Sequence, residues 1–222
     1  ADITSWLDGV GDFRFPLSQY MAGASYLDHH VGQVIEALRE HGLYDDSTIV
    51  FLSPHGEVLG ERGIFFHHHT LMEASLRTPL IVKPLAGARS DRGATIGGIF
   101  DSIDLFPTLV DALGLPIPPA LGGASRWAAL RAGSDIPEHD SFAVNNHESM
   151  LAITREPYKL LVALSDHRVS SEWAWQAGDR ALFDLRASPL DTEDLAARLP
   201  DMTRAMLARL ETWRRGLGEV AR

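Results

Sequence analysis

The sequence predicts an α/β segment followed by a small α+β module. Three observations carry this reading. Short β-branched apolar runs at 47–53 and 78–83 sit among stretches of helical periodicity. Residues 115–140 then hold Pro116, Pro118, Pro119, Pro137 and the small run Gly122-Gly123-Ala124, the best candidate for a domain junction. Beyond it, strand-like stretches separated by hairpin-scale connections precede an amphipathic helix.

Each element has its own signal. Tyr20, Ala24, Leu27, Val31, Val34 or Ile35, and Leu38 recur at three-to-four spacing, which predicts a helix over 19–41 with Gly42 as its stop. Asp45-Asp46 make a turn. Ser47–Ser53 reads as a buried parallel strand. A long loop over 54–70 carries His55, His67, His68 and His69, with glycines at 56, 60 and 63. A short helix is expected through 71–76, a second strand over 78–83, and a surface excursion rich in Gly, Arg and Ala over 84–98. Asp104 opens the next helix, which tolerates Pro107 in its first turn and closes at Gly114. Strands are expected at 142–146, 151–154, 158–164 and 181–185, forming an antiparallel sheet. A final helix at about 200–215 places Met202, Met206, Leu207, Leu210 and Trp213 on one side.

Composition narrows the function classes. The chain has 222 residues, about one and a half domains at ~150 residues each. An apolar share of 45% with 23% charged residues is too apolar for disorder. Twenty basic against thirty acidic residues give a net charge of −10, which repels phosphate backbones and argues against a nucleic-acid partner. No stretch approaches the ~20 apolar residues of a membrane span, and no signal peptide is read at the start of the sequence given. Cysteine is absent, so disulfides, thiolate zinc sites and cysteine-derived nucleophiles are excluded from this chain.

The loop beyond Ser53 is where chemistry is expected. Ligands of open α/β sheets bind outside the carboxyl ends of strands. His55, Glu57, Glu61 and His67–His69 lie in that stretch, and imidazole can ligate a metal, move protons or donate to an anion. Spacing alone leaves two readings open, a functional site or a polar histidine-rich loop.

The motifs resemble the C-terminal portion of the sulfatase family, in the alkaline phosphatase superfamily. The resemblance rests on Ser53-Pro54-His55-Gly56-Glu57, Leu59-Gly60, His68 five residues before Glu73, and Arg77-Thr78-Pro79-Leu80-Ile81. Flanking stretches agree. They are Tyr26-Leu27-Asp28 with Val31-Gly32, then Asp104-Leu105-Phe106-Pro107-Thr108-Leu109 with Gly114, and Leu182-Phe183-Asp184-Leu185 with Pro189 and Asp194-Leu195-Ala196. The resemblance implies the later part of an alkaline-phosphatase-like α/β sheet domain over 1–135. A small α+β C-terminal subdomain with an antiparallel sheet and a terminal helix would follow over 136–222.

It also implies a reaction. Family enzymes hydrolyse sulfate esters, and sometimes phosphate esters or phosphonates, with a divalent metal, usually calcium, and a formylglycine nucleophile. His55 falls on the second residue of the family's metal pair. His68 falls on the residue that contacts the substrate's anionic oxygens, with His69 as the alternative one position along. Pro54 stands where the family has a metal-binding aspartate and supplies no ligand. The formylglycine signature is not found in this chain, and the first-strand aspartates have no counterpart before residue 19. The expectation is therefore a chain inactive alone, acting on an anionic ester only with a missing N-terminal half or an oligomeric partner. A degenerate non-catalytic relative is the alternative. Apolar surface left by the missing strands is expected to be exposed.

Other residues receive structural readings. Consecutive side chains rarely converge on one ion, so His67–His69 are expected to keep the loop's shape rather than bind zinc. Glu57 is expected to brace the loop by accepting backbone N–H bonds, in preference to an acid/base pair with Glu61. Asp28 is read as a packing or hydrogen-bonding position. At least one of His29 and His30 should be solvated, Trp173 and Trp175 are read as core, and Arg214-Arg215 suit a helix C-terminus.

Overall fold

The computed structural model describes residues 8–85, 93–187 and 190–220. Pro189 and part of the 84–98 excursion lie outside the described residues. The chain divides into two compact units, Ala1–Phe51 with Leu80–Ser90 and Leu52–Pro79 with Asp91–Arg222.

The first unit contains helix α1, Arg14–Glu40, and a two-stranded sheet of β1, Ile49–Leu52, and β4, Leu80–Lys83. The helix starts before its apolar periodicity because Asp12 accepts from the backbone N–H of Arg14 at 2.9 Å and holds the Arg14 guanidinium. It ends at Gly42, whose φ of +69° suits a residue without Cβ. Lys83 reaches back from β4 to the carbonyls of Tyr44 and Ser47, satisfying turn acceptors that no strand pairs. Most of the predicted apolar stripe of α1 is uncovered: Tyr20, Leu27 and Val34 are all exposed, and only Pro16 is buried. Asp28 and His29 are exposed as well, so the packing role expected for Asp28 is not realised among the described residues.

The second unit is built on a four-stranded antiparallel sheet in the order β10-β7-β6-β5. Its strands are β5 Ser141–Val144, β6 Met150–Arg155, β7 Tyr158–Ala163 and β10 Arg180–Asp184. All four were legible from their apolar runs. They lack polar alternation because both faces of the sheet are covered. Met150, Ala152, Leu161, Ala181 and Phe183 pack one way, with Val58, Ile64, Leu71, Met72 and Trp173. Leu151, Ile153, Leu160 and Leu182 pack the other way, with Met206 and Leu210 of the terminal helix α5, Pro200–Val220. Phe142 and Trp213 stack there with ring planes 1° apart and centroids separated by 4.7 Å. Trp173 is core, as expected, and Trp175 packs edge-on against it.

The rest of this unit carries the loops. The stretch expected as one long loop over 54–70 contains a hairpin of β2, Val58–Leu59, and β3, Phe65–His67, joined through a 3₁₀ turn at Glu61–Gly63. Helix α2, Glu73–Leu76, follows. A 3₁₀ turn at Ser102–Asp104 leads into α3, Leu105–Ala112, and α4 covers Trp127–Ala132. A second small hairpin pairs β8, His167–Arg168, with β9, Ala174–Trp175. Asp104 does not cap the helix it opens. Its buried carboxylate accepts instead from Ala124 N at 2.8 Å and from Arg126 Nε at 2.6 Å.

Candidate active site

The site forms because the loop after β1 is held at both ends. The N–H of Gly56 donates to the carbonyl of Ser75 at 2.8 Å, tying the loop to α2. Only glycine fits, since a Cβ at position 56 would stand 2.0 Å from the carbonyl oxygen of Ala74. Ser53 Oγ donates to the carbonyl of His55 at 2.6 Å, and Pro54 is exposed. Behind the loop, the fully buried Lys159 donates to the carbonyl of Leu71, to Glu73 and to Asp191, which fixes the start of α2. Asp191 also accepts from the N–H of Glu73 at 2.6 Å, and burial pushes its carboxyl pKa up against the pull of Lys159.

The hairpin register then brings side chains together. Val58 pairs with His67 and Leu59 with Phe65, with an irregularity between them and Phe66 at a φ of +52°. Counted one step further, Glu57 comes opposite His68. Oε2 of Glu57 lies 3.4 Å from Nδ1 of His68, close enough to attract but not aligned as a hydrogen bond. The ring of His55 stacks on that of His68 with centroids 3.8 Å apart. One ring nitrogen from each histidine and one carboxylate oxygen of Glu57 all lie within 4.8 Å of one another.

One expectation is corrected here. The brace on the loop is Glu61, not Glu57: Oε2 of Glu61 accepts from the N–H groups of Leu59 at 2.7 Å and Gly60 at 3.1 Å. A carboxylate just past the strand can fold back on those donors, whereas Glu57 precedes them and points across the hairpin. The histidine run itself does not converge on one point: His68 alone lies with His55 and Glu57.

His67 and His69 face elsewhere. The N–H of His69 donates to Nδ1 of His67 at 3.1 Å. Nδ1 of His69 accepts from the Asn146 amide at 3.1 Å, which places the His69 proton on Nε2. His147 stands beside it, with ring centroids 6.4 Å apart. Partial burial lowers the pKa of both His67 and His69, and the neighbouring histidines lower them further. Asn146 and His147 come from the turn between β5 and β6, and sequence reasoning did not single them out. No linear spacing relates them to residue 69; the only cue was a polar Asn-Asn-His-Glu turn between two apolar strands. His167 also adjoins this cluster, hydrogen-bonded through Nδ1 to Ser149 at 3.1 Å.

A second group, Asp101, Asp104 and His139, has metal-ligand spacing but no free oxygens. Asp101 is engaged by Ser141 and His139, and Asp104 by Ala124 and Arg126. It is a structural network.

Comparison with known proteins places this geometry. The family model described as Sulfatase matches residues 14–115. The choline-sulfatase of Rhizobium meliloti is 32% identical over 178 residues, covering 80% of this chain and 32% of that protein. The multifunctional alkaline phosphatase superfamily protein PehA of Trinickia caryophylli is 34% identical over 201 residues, covering 84% of this chain and 37% of its own length. Among solved structures, a protein in complex with its substrate D-glucosamine-2-N,6-O-disulfate superposes with a TM-score of 0.76 at 22% identity, over 88% of this chain and 40% of that one. At that identity the likeness speaks for the fold alone. The chain spans about a third of the length of the curated relatives it matches.

Proposed function

The chain belongs to the sulfatase family of the alkaline phosphatase superfamily and has its α/β fold, and from that premise we propose that it forms the histidine-bearing part of a sulfuric-ester hydrolase. Phosphate esters and phosphonates fall within the same reading. The observation that supports it best is the convergence of His68 and His69 with Asn146 and His147, from segments far apart in the sequence, beside the loop that follows β1. In this reading His68 and His69 meet the anionic oxygens of the ester, and His55 stands on the metal side. The Asn146 amide holds Nδ1 of His69, so its Nε2–H is presented as a donor to an anionic oxygen. Residues 1–135 would belong to the large sheet domain and 136–222 to its C-terminal subdomain.

A divalent metal held in a complete family site would supply positive charge to the ester oxygens. Calcium does not fit the residues present here. It takes about six to eight oxygen ligands, whereas this chain offers two imidazoles and one carboxylate, with Pro54 at the family's aspartate position. The remaining oxygen donors and the nucleophile would come from the N-terminal part of a family member or from a partner subunit.

Pro54 also favours a second reading, a non-catalytic relative that binds anionic esters without cleaving them. One experiment separates the two. The chain is combined with an N-terminal half of the family plus calcium, and hydrolysis of an aryl sulfate and an aryl phosphate is measured, with and without Pro54→Asp. Turnover that rises with the aspartate supports the hydrolase. Ester binding without turnover in either form supports the second reading and ends the first.

A further inference from the structure

The geometry points to a binding site for a divalent transition-metal ion of the zinc type, made by His55, Glu57 and His68 of this chain alone. The inference stands apart from the ester-hydrolase reading, since it concerns binding and a donor set different from an oxygen-rich calcium site.

Three lines converge on it. The first is proximity: two ring nitrogens and a carboxylate oxygen lie within 4.8 Å of one another, and one ion bonded at about 2.0–2.2 Å would gather them once the stacked rings of His55 and His68 turn their lone pairs toward it. The second is unmet bonding capacity. Oε1 of Glu57 and Nδ1 of His68 are both buried without a hydrogen-bond partner, although buried polar atoms ordinarily find one. The Asp101–Asp104–His139 group makes the contrast, because its oxygens are already engaged. The third is tautomer. Nδ1 of His55 lies 2.8 Å from the carbonyl of Gly56 and donates to it, which leaves the Nε2 lone pair free. Metal-ligating histidines commonly carry that backbone bond on their other nitrogen.

The chemistry of the set selects the ion. Two imidazoles and a single carboxylate suit zinc, cobalt, nickel or copper, and not calcium or magnesium. One negative charge from Glu57 meets a dication, and the set leaves coordination positions open to water or an anionic oxygen. The backbone carrying the three ligands is fixed before the ion arrives, and the two stacked imidazole rings are what must turn. Gly56 is locked against α2, and the β2–β3 ladder fixes Glu57 opposite His68. With His68 given to the ion, His69 is the imidazole left facing outward.

The test is calorimetric titration of tag-free, chelator-treated chain with zinc chloride and, separately, calcium chloride, followed by cobalt absorption spectroscopy. One zinc per chain is expected, with no calcium binding at millimolar concentration. Glu57→Gln and His55→Asn should each weaken zinc by roughly 100-fold, while His67→Gln and His139→Asn leave it unchanged. His55 is exposed and Glu57→Gln is isosteric, so both variants should fold, which circular dichroism checks. The inference is overturned if zinc does not bind, if binding survives both ligand variants, or if it is lost in either control. It is equally overturned if calcium binds as tightly as zinc.

Discussion

The Nζ of Lys159 lies 2.7 Å from Oδ1 of Asp191, and neither side chain is exposed to solvent. The pair lies on the core side of β7 and holds the start of α2 through Leu71 and Glu73. Removing the Asp191 charge leaves the buried Lys159 with Glu73 at 3.0 Å as its remaining carboxylate, so the loss should fall below the ~3–5 kcal/mol of a fully stranded buried charge. Asp191→Asn keeps the size of the side chain and tolerates its φ of +54°, so it isolates the charge. Urea unfolding should show that loss as a lower midpoint at unchanged slope.

Gly56 is the point at which the site loop touches α2. A methyl group there meets the Ala74 carbonyl, which is backbone and cannot turn aside. Gly56→Ala should cost roughly 1–3 kcal/mol by overpacking. It should also weaken zinc binding, because the loop that presents His55 and Glu57 must shift. Thermal melts with and without zinc will show both effects if the loop is the common cause.

Acid should destabilise the second unit through His167. Burial, then the nearby His147, lowers its pKa below the ordinary 6.5. The unfolded chain therefore binds this proton more readily than the folded one, and stability falls as pH drops through and below about 6.5. Ser149 Oγ accepts from Asn145 Nδ2, so its own hydrogen is available to Nδ1 of His167, a bond that protonation would remove. His167→Gln should make the profile shallower between about pH 7 and 5, with the share of His67 and His69 remaining, measured as the change in urea midpoint across that range.

Helix α5 covers its face of the sheet chiefly through Met206 and Leu210, each 2% exposed. Leu210→Ala leaves a cavity against Leu151, Ile153, Leu160 and Leu182 and should cost about 2–5 kcal/mol. Stacking of Trp213 on Phe142 gives the readout: tryptophan fluorescence should report the unfolding transition at a correspondingly lower denaturant concentration.

Much of the fold was legible because burial on both faces writes itself into composition. Met150–Ile153 and Leu160–Val162 are apolar without alternation, and the sheet buries them from both sides. Helix α1 was legible from its stripe even though that stripe is uncovered, since periodicity records an intended neighbour and not the neighbour itself. The site was legible only in part. His55 and His68 were found by motif, but their contact with Glu57 depends on a ladder of two-residue strands too short to leave a pattern. The bond between His69 and Asn146 spans 77 positions, and Lys159 is one lysine in an apolar run whose partners lie 86 and 32 residues away. Such contacts are consequences of the tertiary fold and have no local signature.

The β2–β3 ladder also sets what the chain can tolerate over time. The tip residues between Gly60 and Ile64 are each held: Glu61 braces the turn, Arg62 donates to the carbonyls of Asp191 and Thr192, and Gly63 takes a φ of +66°. One residue inserted there would rotate every following side chain to the opposite side of the ribbon and send His68 away from Glu57. The position of one imidazole thus hangs on the length of a turn several residues away from it.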